Sequence, residues 1–272
     1  MQLPKDPPYF SVIYPTYRPG GIDLIGLSLQ DQPPIYELIV VDACPGRVER
    51  GDAAKYLLDL GIPLRYYGAP ELPGVDSKKG MARAYNVGAA YATTPHLIFT
   101  QDYCWYPPGF MFSWITRLIT GMANTSIAGA AIFTGAFPPQ HLGDISIWEG
   151  NPFHQLGETI KLWEPTHWEM FNTYFPLWFF EQVNGLDERG PVTHCFAQTL
   201  YQMAMLGMFP EVQKSIRIGM VDHRVWGGEL WNTNEKPRKT PEPVHELVAV
   251  SPNPYTFTEV RKICQSNGTR EQ

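Results

Sequence analysis

No apolar run in this chain reaches the ~18 residues that a membrane-spanning helix needs. The longest aromatic cluster, Trp178-Phe179-Phe180, is far shorter and reads as core. Cysteine is scarce. Cys44, Cys104, Cys195 and Cys264 are too dispersed for a zinc motif or a disulfide framework, so reduced thiols in a cytoplasmic compartment are expected. Charge is sparse at 18%, with a net of −6. That balance argues against a broad nucleic-acid-binding surface, although a local basic patch remains open. Met1 to Tyr9 carries three prolines and lacks the apolar core of a signal peptide.

What the chain does have is 44% apolar residues over 272 positions, enough for one large domain or two small ones. Its 14 Tyr, 14 Phe and 8 Trp suit either a core or a surface that stacks on sugar rings. Apolar runs and helical periodicities alternate through the first half. Phe10 to Pro15, Glu37 to Asp42, Leu64 to Tyr67 and Leu97 to Thr100 read as strands. Ile22 to Gln30, Arg47 to Leu60, Ser77 to Tyr91 (with Ser77 as N-cap) and Pro107 to Thr120 read as helices. This alternation predicts an α/β fold with a doubly wound, mostly parallel sheet and helices on both faces.

The second half is less periodic. Ala128 to Phe133 reads as a strand, and Phe179 to Asn184 and Ala197 to Met205 read as helices. Pro138 to Thr173 reads as loops over one end of the sheet, where specificity commonly resides. The expected organisation is one domain over residues 1–232, in two halves that meet at about residue 120. Residues 233–272 form a C-terminal extension.

Two strands end on a lone carboxylate: Val40-Val41-Asp42, and Leu97 to Thr100 followed by Gln101-Asp102. A carboxylate at the carboxyl edge of an α/β sheet lies where such folds keep their ligands. Asp42 also suits a turn or a helix cap. Between these strands runs Lys79-Gly80-x₃-Ala84-x-Asn86-x-Gly88, whose small residues let a helix lie close to the sheet.

In order and spacing, Ile13-Tyr14-Pro15-Thr16-Tyr17-Arg18, Val40-Val41-Asp42, Lys79 to Gly88 and Gln101-Asp102 resemble the family-2 glycosyltransferases of GT-A fold. The likeness is close over residues 9–120 and loose over 172–232. It implies a nucleotide-diphosphate sugar donor, with UDP expected, a divalent Mn²⁺ or Mg²⁺ ion, and inverting transfer to an acceptor hydroxyl. Pro15, Tyr17 and Asp42 map onto the base and ribose pocket. Lys79 maps onto the diphosphate, and Asn86 onto the donor-side helix. Asp102 maps onto the metal-binding carboxylate, with His223 as a second candidate ligand.

The chain departs from the family where the chemistry is done. Ala43 replaces the second Asp after strand two, Gln101 the first metal-site Asp, and Tyr85 the helix Arg. Asn184-Gly185-Leu186-Asp187-Glu188 matches the family's pre-base segment, but the acidic pair expected near Cys195 and Phe196 is missing. Candidates for the base are therefore His194 and the loop carboxylates Asp144, Glu149 and Glu158, while Asp187 and Glu188 read as structural or surface groups. The acceptor class stays open among glycan, lipid-linked, protein and modified-base substrates. Rival functions are a nucleotide-sugar-binding homologue without turnover and a viral-type transferase acting on a modified nucleic-acid base. A nucleotidyltransferase is a third, poorly served by Pro19-Gly20-Gly21 as a phosphate loop.

Overall fold

A computed structural model describes residues 10–17, 20–30, 32–33, 36–44, 47, 49–68, 81–102, 104–106, 109–117, 126–134, 172–188, 209–220 and 256–268. Its strands are β1 (Phe10–Thr16), β2 (Tyr36–Asp42), β3 (Leu64–Gly68), β4 (His96–Thr100), β5 (Cys104–Trp105), β6 (Ser126–Thr134), β7 (Asn172–Pro176) and β8 (Phe209–Met220). Its helices are α1 (Gly21–Leu29), α2 (Arg50–Asp59), α3 (Met81–Tyr91), α4 (Phe110–Arg117), α5 (Leu177–Val183) and α6 (Phe257–Gly268).

All eight strands join one sheet in the order β3-β2-β1-β4-β7-β6-β8-β5. The β3-β2-β1-β4 half is parallel throughout, with Thr16 level with Asp42 and Ile13 level with Phe99. Beyond β4 the sheet is mixed. β7 runs antiparallel to both β4 and β6, and β8 pairs parallel with β6 and antiparallel with β5. The α/β architecture with a mostly parallel sheet is thus present. Strands β5, β7 and β8 add to what the sequence pattern indicated.

Both faces of the sheet are covered, because the parallel strands are apolar on both sides. On one face Val12, Leu38, Val40 and Ile98 pack with Ile22 and Ile25 of α1, Leu57 of α2, and Met111 and Trp114 of α4. On the other, Ile13, Ile39, Leu97 and Phe99 pack with Tyr85 and Ala89 of α3, Phe179 and Phe180 of α5, and Phe257, Val260 and Cys264 of α6. Helix α3 lies against β1 through Gly88, where a Cβ would come 2.3 Å from Ile13 Cγ2. Helix α6, within the stretch read as an extension, is part of this second core. It opens with a capping box. Thr256 N donates to Glu259 Oε2 at 2.7 Å, and Glu259 N to Thr256 Oγ1 at 3.2 Å.

Candidate functional site

The crossover from β1 to β4 reverses the winding direction, so the ligand crevice is expected at the carboxyl ends of β1, β2 and β4. Pro15 is buried within β1, and the half-buried Tyr17 follows the strand. Asp42 closes β2 and is fully buried; Asp102 lies two residues beyond β4 and is 2% exposed. Folding joins these strand ends into one network. Asp102 Oδ2 accepts from Tyr17 N at 3.1 Å and from Thr16 Oγ1 at 3.3 Å. Thr16 Oγ1 accepts in turn from Arg47 Nη2 at 3.4 Å. Arg47 Nε forms an ion pair with Asp42 Oδ2 at 2.7 Å. Gly21 makes room for this join, since a Cβ there would lie 2.4 Å from Thr16 Oγ1 and 3.1 Å from Asp102 Cβ.

The carboxylate of Asp42 is heavily engaged. Its Oδ1 accepts from Cys44 N at 2.9 Å, closing the turn after β2 as an Asp two residues upstream does. Its Oδ2 accepts from the Tyr66 hydroxyl, pairs with Arg47, and stands 3.6 Å from Arg50 Nε. Burial, followed by the bond to Asp42 and its charge, raises the Tyr66 pKa well above the usual phenol value. Counting Asp42, Arg47 and Arg50, the end of β2 carries one net positive charge, where the resemblance implied an acid alone. Sequence reasoning missed Arg47, Arg50 and Tyr66. The signal available was two arginines shortly after a strand-terminal Asp.

Asn86 is 3% exposed, and its amide holds the Asn184-to-Glu188 segment. Nδ2 donates to Leu186 O at 2.9 Å and to Glu188 Oε1 at 2.6 Å, while Oδ1 accepts from Leu186 N at 2.7 Å. The geometry therefore gives Asn86 a positioning task. Gly185 passes so close that a Cβ would lie 2.8 Å from Asn86 Oδ1, and its φ is +77°. Asn184, at φ 64°, ends α5 and accepts from Phe257 N at 2.6 Å, so one short segment ties together α3, α5 and α6. Asp187 is buried and Glu188 pairs with Arg83 at 3.3 Å, in keeping with structural tasks for both.

Among the described residues no three His, Cys, Asp or Glu side chains cluster as a metal site. Next to Asp102, however, Gln101 Oε1 is buried without a hydrogen-bond partner. A carboxylate and an amide oxygen are hard ligands of the type that Mg²⁺ and Mn²⁺ accept. They fit such an ion as part of a set completed by diphosphate, water or another side chain. Lys79, Asp144, Glu149, Glu158, His194 and His223 lie outside the described residues, as do the Ala197 to Met205 stretch and Ser77.

No protein-family model matches the chain, and no curated protein matches it. Solved structures do. Staphylococcus aureus TarS superposes with a TM-score of 0.54 at 15% identity, covering 78% of this chain and 36% of TarS. Residues 1–349 of TarS in complex with UDP give 0.53 at 15% identity, covering 78% of this chain and 60% of that one. Glucosyl-3-phosphoglycerate synthase from Mycobacterium tuberculosis, in complex with Mn²⁺, UDP and glucosyl-3-phosphoglycerate, gives 0.50 at 15% identity, covering 78% and 70%. This chain thus spans about a third of that TarS chain. The likeness establishes a GT-A fold.

Proposed function

We propose that this chain is a GT-A glycosyltransferase moving a sugar, expected to be a hexose, from a nucleotide-diphosphate donor to an acceptor hydroxyl with inversion. UDP is the expected nucleotide and the cytoplasm the expected compartment. The observation that carries the reading is the joining of Asp42 and Asp102 through Arg47 and Thr16 at the switch point of a GT-A sheet. UDP bound to two neighbours of the same fold supports the choice of nucleotide.

Pro15, Tyr17 and Asp42 would border the base and ribose, with Arg47 setting the direction of the Asp42 carboxylate. Asp102 and Lys79 would face the diphosphate. A Mg²⁺ or Mn²⁺ ion, held by Asp102 and Gln101 with His223 as a further ligand, would supply neutralisation of the leaving diphosphate. His194, Asp144, Glu149 and Glu158 remain the candidates to take the acceptor proton. The acceptor is a glycan, lipid-linked, protein or modified-base hydroxyl.

Calorimetric titration with UDP, UDP-glucose and UDP-GlcNAc, each with and without Mn²⁺, tests the reading. Saturable binding strengthened by Mn²⁺ is expected, with the strengthening lost in Asp102→Asn. Failure of every nucleotide to bind the folded protein sinks the proposal. Gln101, standing where the resemblance implies a carboxylate, favours one other reading: a nucleotide-sugar-binding protein without turnover. Donor hydrolysis distinguishes the two, since only a transferase releases UDP.

A further inference from the structure

Arg83 is buried at 4% exposure near the start of α3, yet two of its three nitrogens, Nε and Nη2, have no hydrogen-bond partner. Only Nη1 is engaged, with Glu188 Oε1 and Oε2 at 3.4 and 3.3 Å. Those contacts are long for a charge-assisted bond, which normally closes to about 2.7–2.9 Å. The shorter bond of Glu188 goes to Asn86. The free atoms are not a random pair. Nε–H and Nη2–H share one edge of the planar guanidinium and point the same way. That edge is the fork that accepts two oxygens of a carboxylate or phosphate side by side. A buried charged group whose donors stay unmade is costly, so the fork implies an occupant.

Its place in the fold says where the occupant comes from. Two residues after Arg83, the Tyr85 hydroxyl donates to Thr100 O at 2.8 Å, and Asp102 follows Thr100 by two positions. Arg83 therefore stands at the carboxyl edge of the sheet. It lies on the α3 side of the strand ends, whereas Asp42 and Arg47 adjoin the α1–α2 side. On the same side Thr173 Oγ1, paired with Phe99 across β4 and β7, is also buried without a partner. Glu188, itself held by Asn86, meets the guanidinium at Nη1 and leaves the Nε–Nη2 fork without a protein partner.

We infer that the Arg83 fork is an oxyanion receptor and that the acceptor is a molecule bearing a carboxylate or phosphate. This rests on the glycosyltransferase reading for the word acceptor, and on Arg83 alone for the oxyanion. The acceptor hydroxyl would be positioned by its own anionic group, seated across the strand ends from the donor.

The test follows the Arg83 Nε–H signal by ¹⁵N NMR while inorganic phosphate, and separately acetate, is added with UDP at saturation to fill the diphosphate positions. Phosphate or acetate is expected to move that signal saturably; the tighter of the two identifies the anionic group. Arg83→Lys keeps the charge but loses the fork, and is expected to weaken anion binding at least about 10-fold. Glu188→Gln, which removes a competing carboxylate, is expected to retain it. If Arg83→Lys does not fold, the wild-type signal decides by itself. An unmoved signal, or equal anion binding in Arg83→Lys, overturns the receptor. A shift with UDP-glucuronate that UDP-glucose does not give moves the oxyanion to the donor sugar and overturns the acceptor assignment. UDP affinity, measured alongside, reports on the glycosyltransferase reading, and its absence leaves the phosphate titration interpretable without UDP.

Discussion

Asp42 has structural tasks beside the ligand contact proposed for it. Its carboxylate closes a turn, anchors Arg47 and receives the Tyr66 hydroxyl, all inside the protein. Asp42→Ala would strand a mostly buried guanidinium and a phenol. A loss of about 2–4 kcal/mol is expected in urea unfolding, somewhat below a fully buried pair because Arg47 keeps 10% exposure. Asp42→Asn should cost less, since Oδ1 can still accept from Cys44 N. A second residue-scale outcome concerns His96, whose Nδ1 lies 2.8 Å from the Tyr174 hydroxyl. Burial lowers its pKa from the ordinary 6.5. The unfolded chain then takes up the proton first, so stability is full above pH 6.5 and declines as pH falls towards the folded-state value. Urea midpoints between pH 7.5 and 5.5 should fall, and fall less in His96→Phe.

At the scale of elements, close approach governs the pieces that hold the site. Helix α3 can lie on β1 only because position 88 has no side chain. Gly88→Ala would force Ile13 or the helix aside and is expected to cost about 1–3 kcal/mol, the usual range for overpacking. Gly185 is constrained doubly, by its φ of +77° and by Asn86 against its Cα. Gly185→Ala should therefore destabilise more than an ordinary surface change. It should also loosen the segment that carries Glu188, which amide exchange at Leu186 would report. The capping box of α6 joins Thr256 and Glu259, and Thr256→Ala is expected to cost about 1 kcal/mol in unfolding. Cys264 on that helix is held inert: burial pushes its thiol up to about 11, with Tyr91 and Arg83 pulling the other way.

For the whole molecule, the sheet is a parallel half joined to a mixed half through the antiparallel strand β7. Helix α6 comes from the far end of the chain and fills the groove beside α3 and α5 with Phe257, Val260 and Cys264. Removing residues 257–272 would expose apolar surface on α3, and the truncated chain is expected to be insoluble or to lose cooperative unfolding. Retention of a sharp thermal transition after truncation would contradict this. The site inherits the same long-range character. Thr16 and Asp102 are 86 positions apart, and Asn86 and Leu186 100 positions apart, so each pairing exists only once the sheet has closed.

The strands of the first half were legible because burial on both faces makes them continuous apolar runs, and their helices because α1 and α3 show helical spacing. The place of Asp42 and Asp102 at strand ends was legible because a charge that closes an apolar run marks the carboxyl edge of the sheet. β7 and β8 were not, since their pairing depends on partners far along the chain rather than on local periodicity. The partners of each polar side chain also lay beyond the sequence. Only folding made Asn86 a clamp on Leu186, set Arg47 between Asp42 and Thr16, and left the Arg83 fork without a protein partner. A residue's type sets which hydrogen bonds it can make, but distance and burial decide which of them it makes.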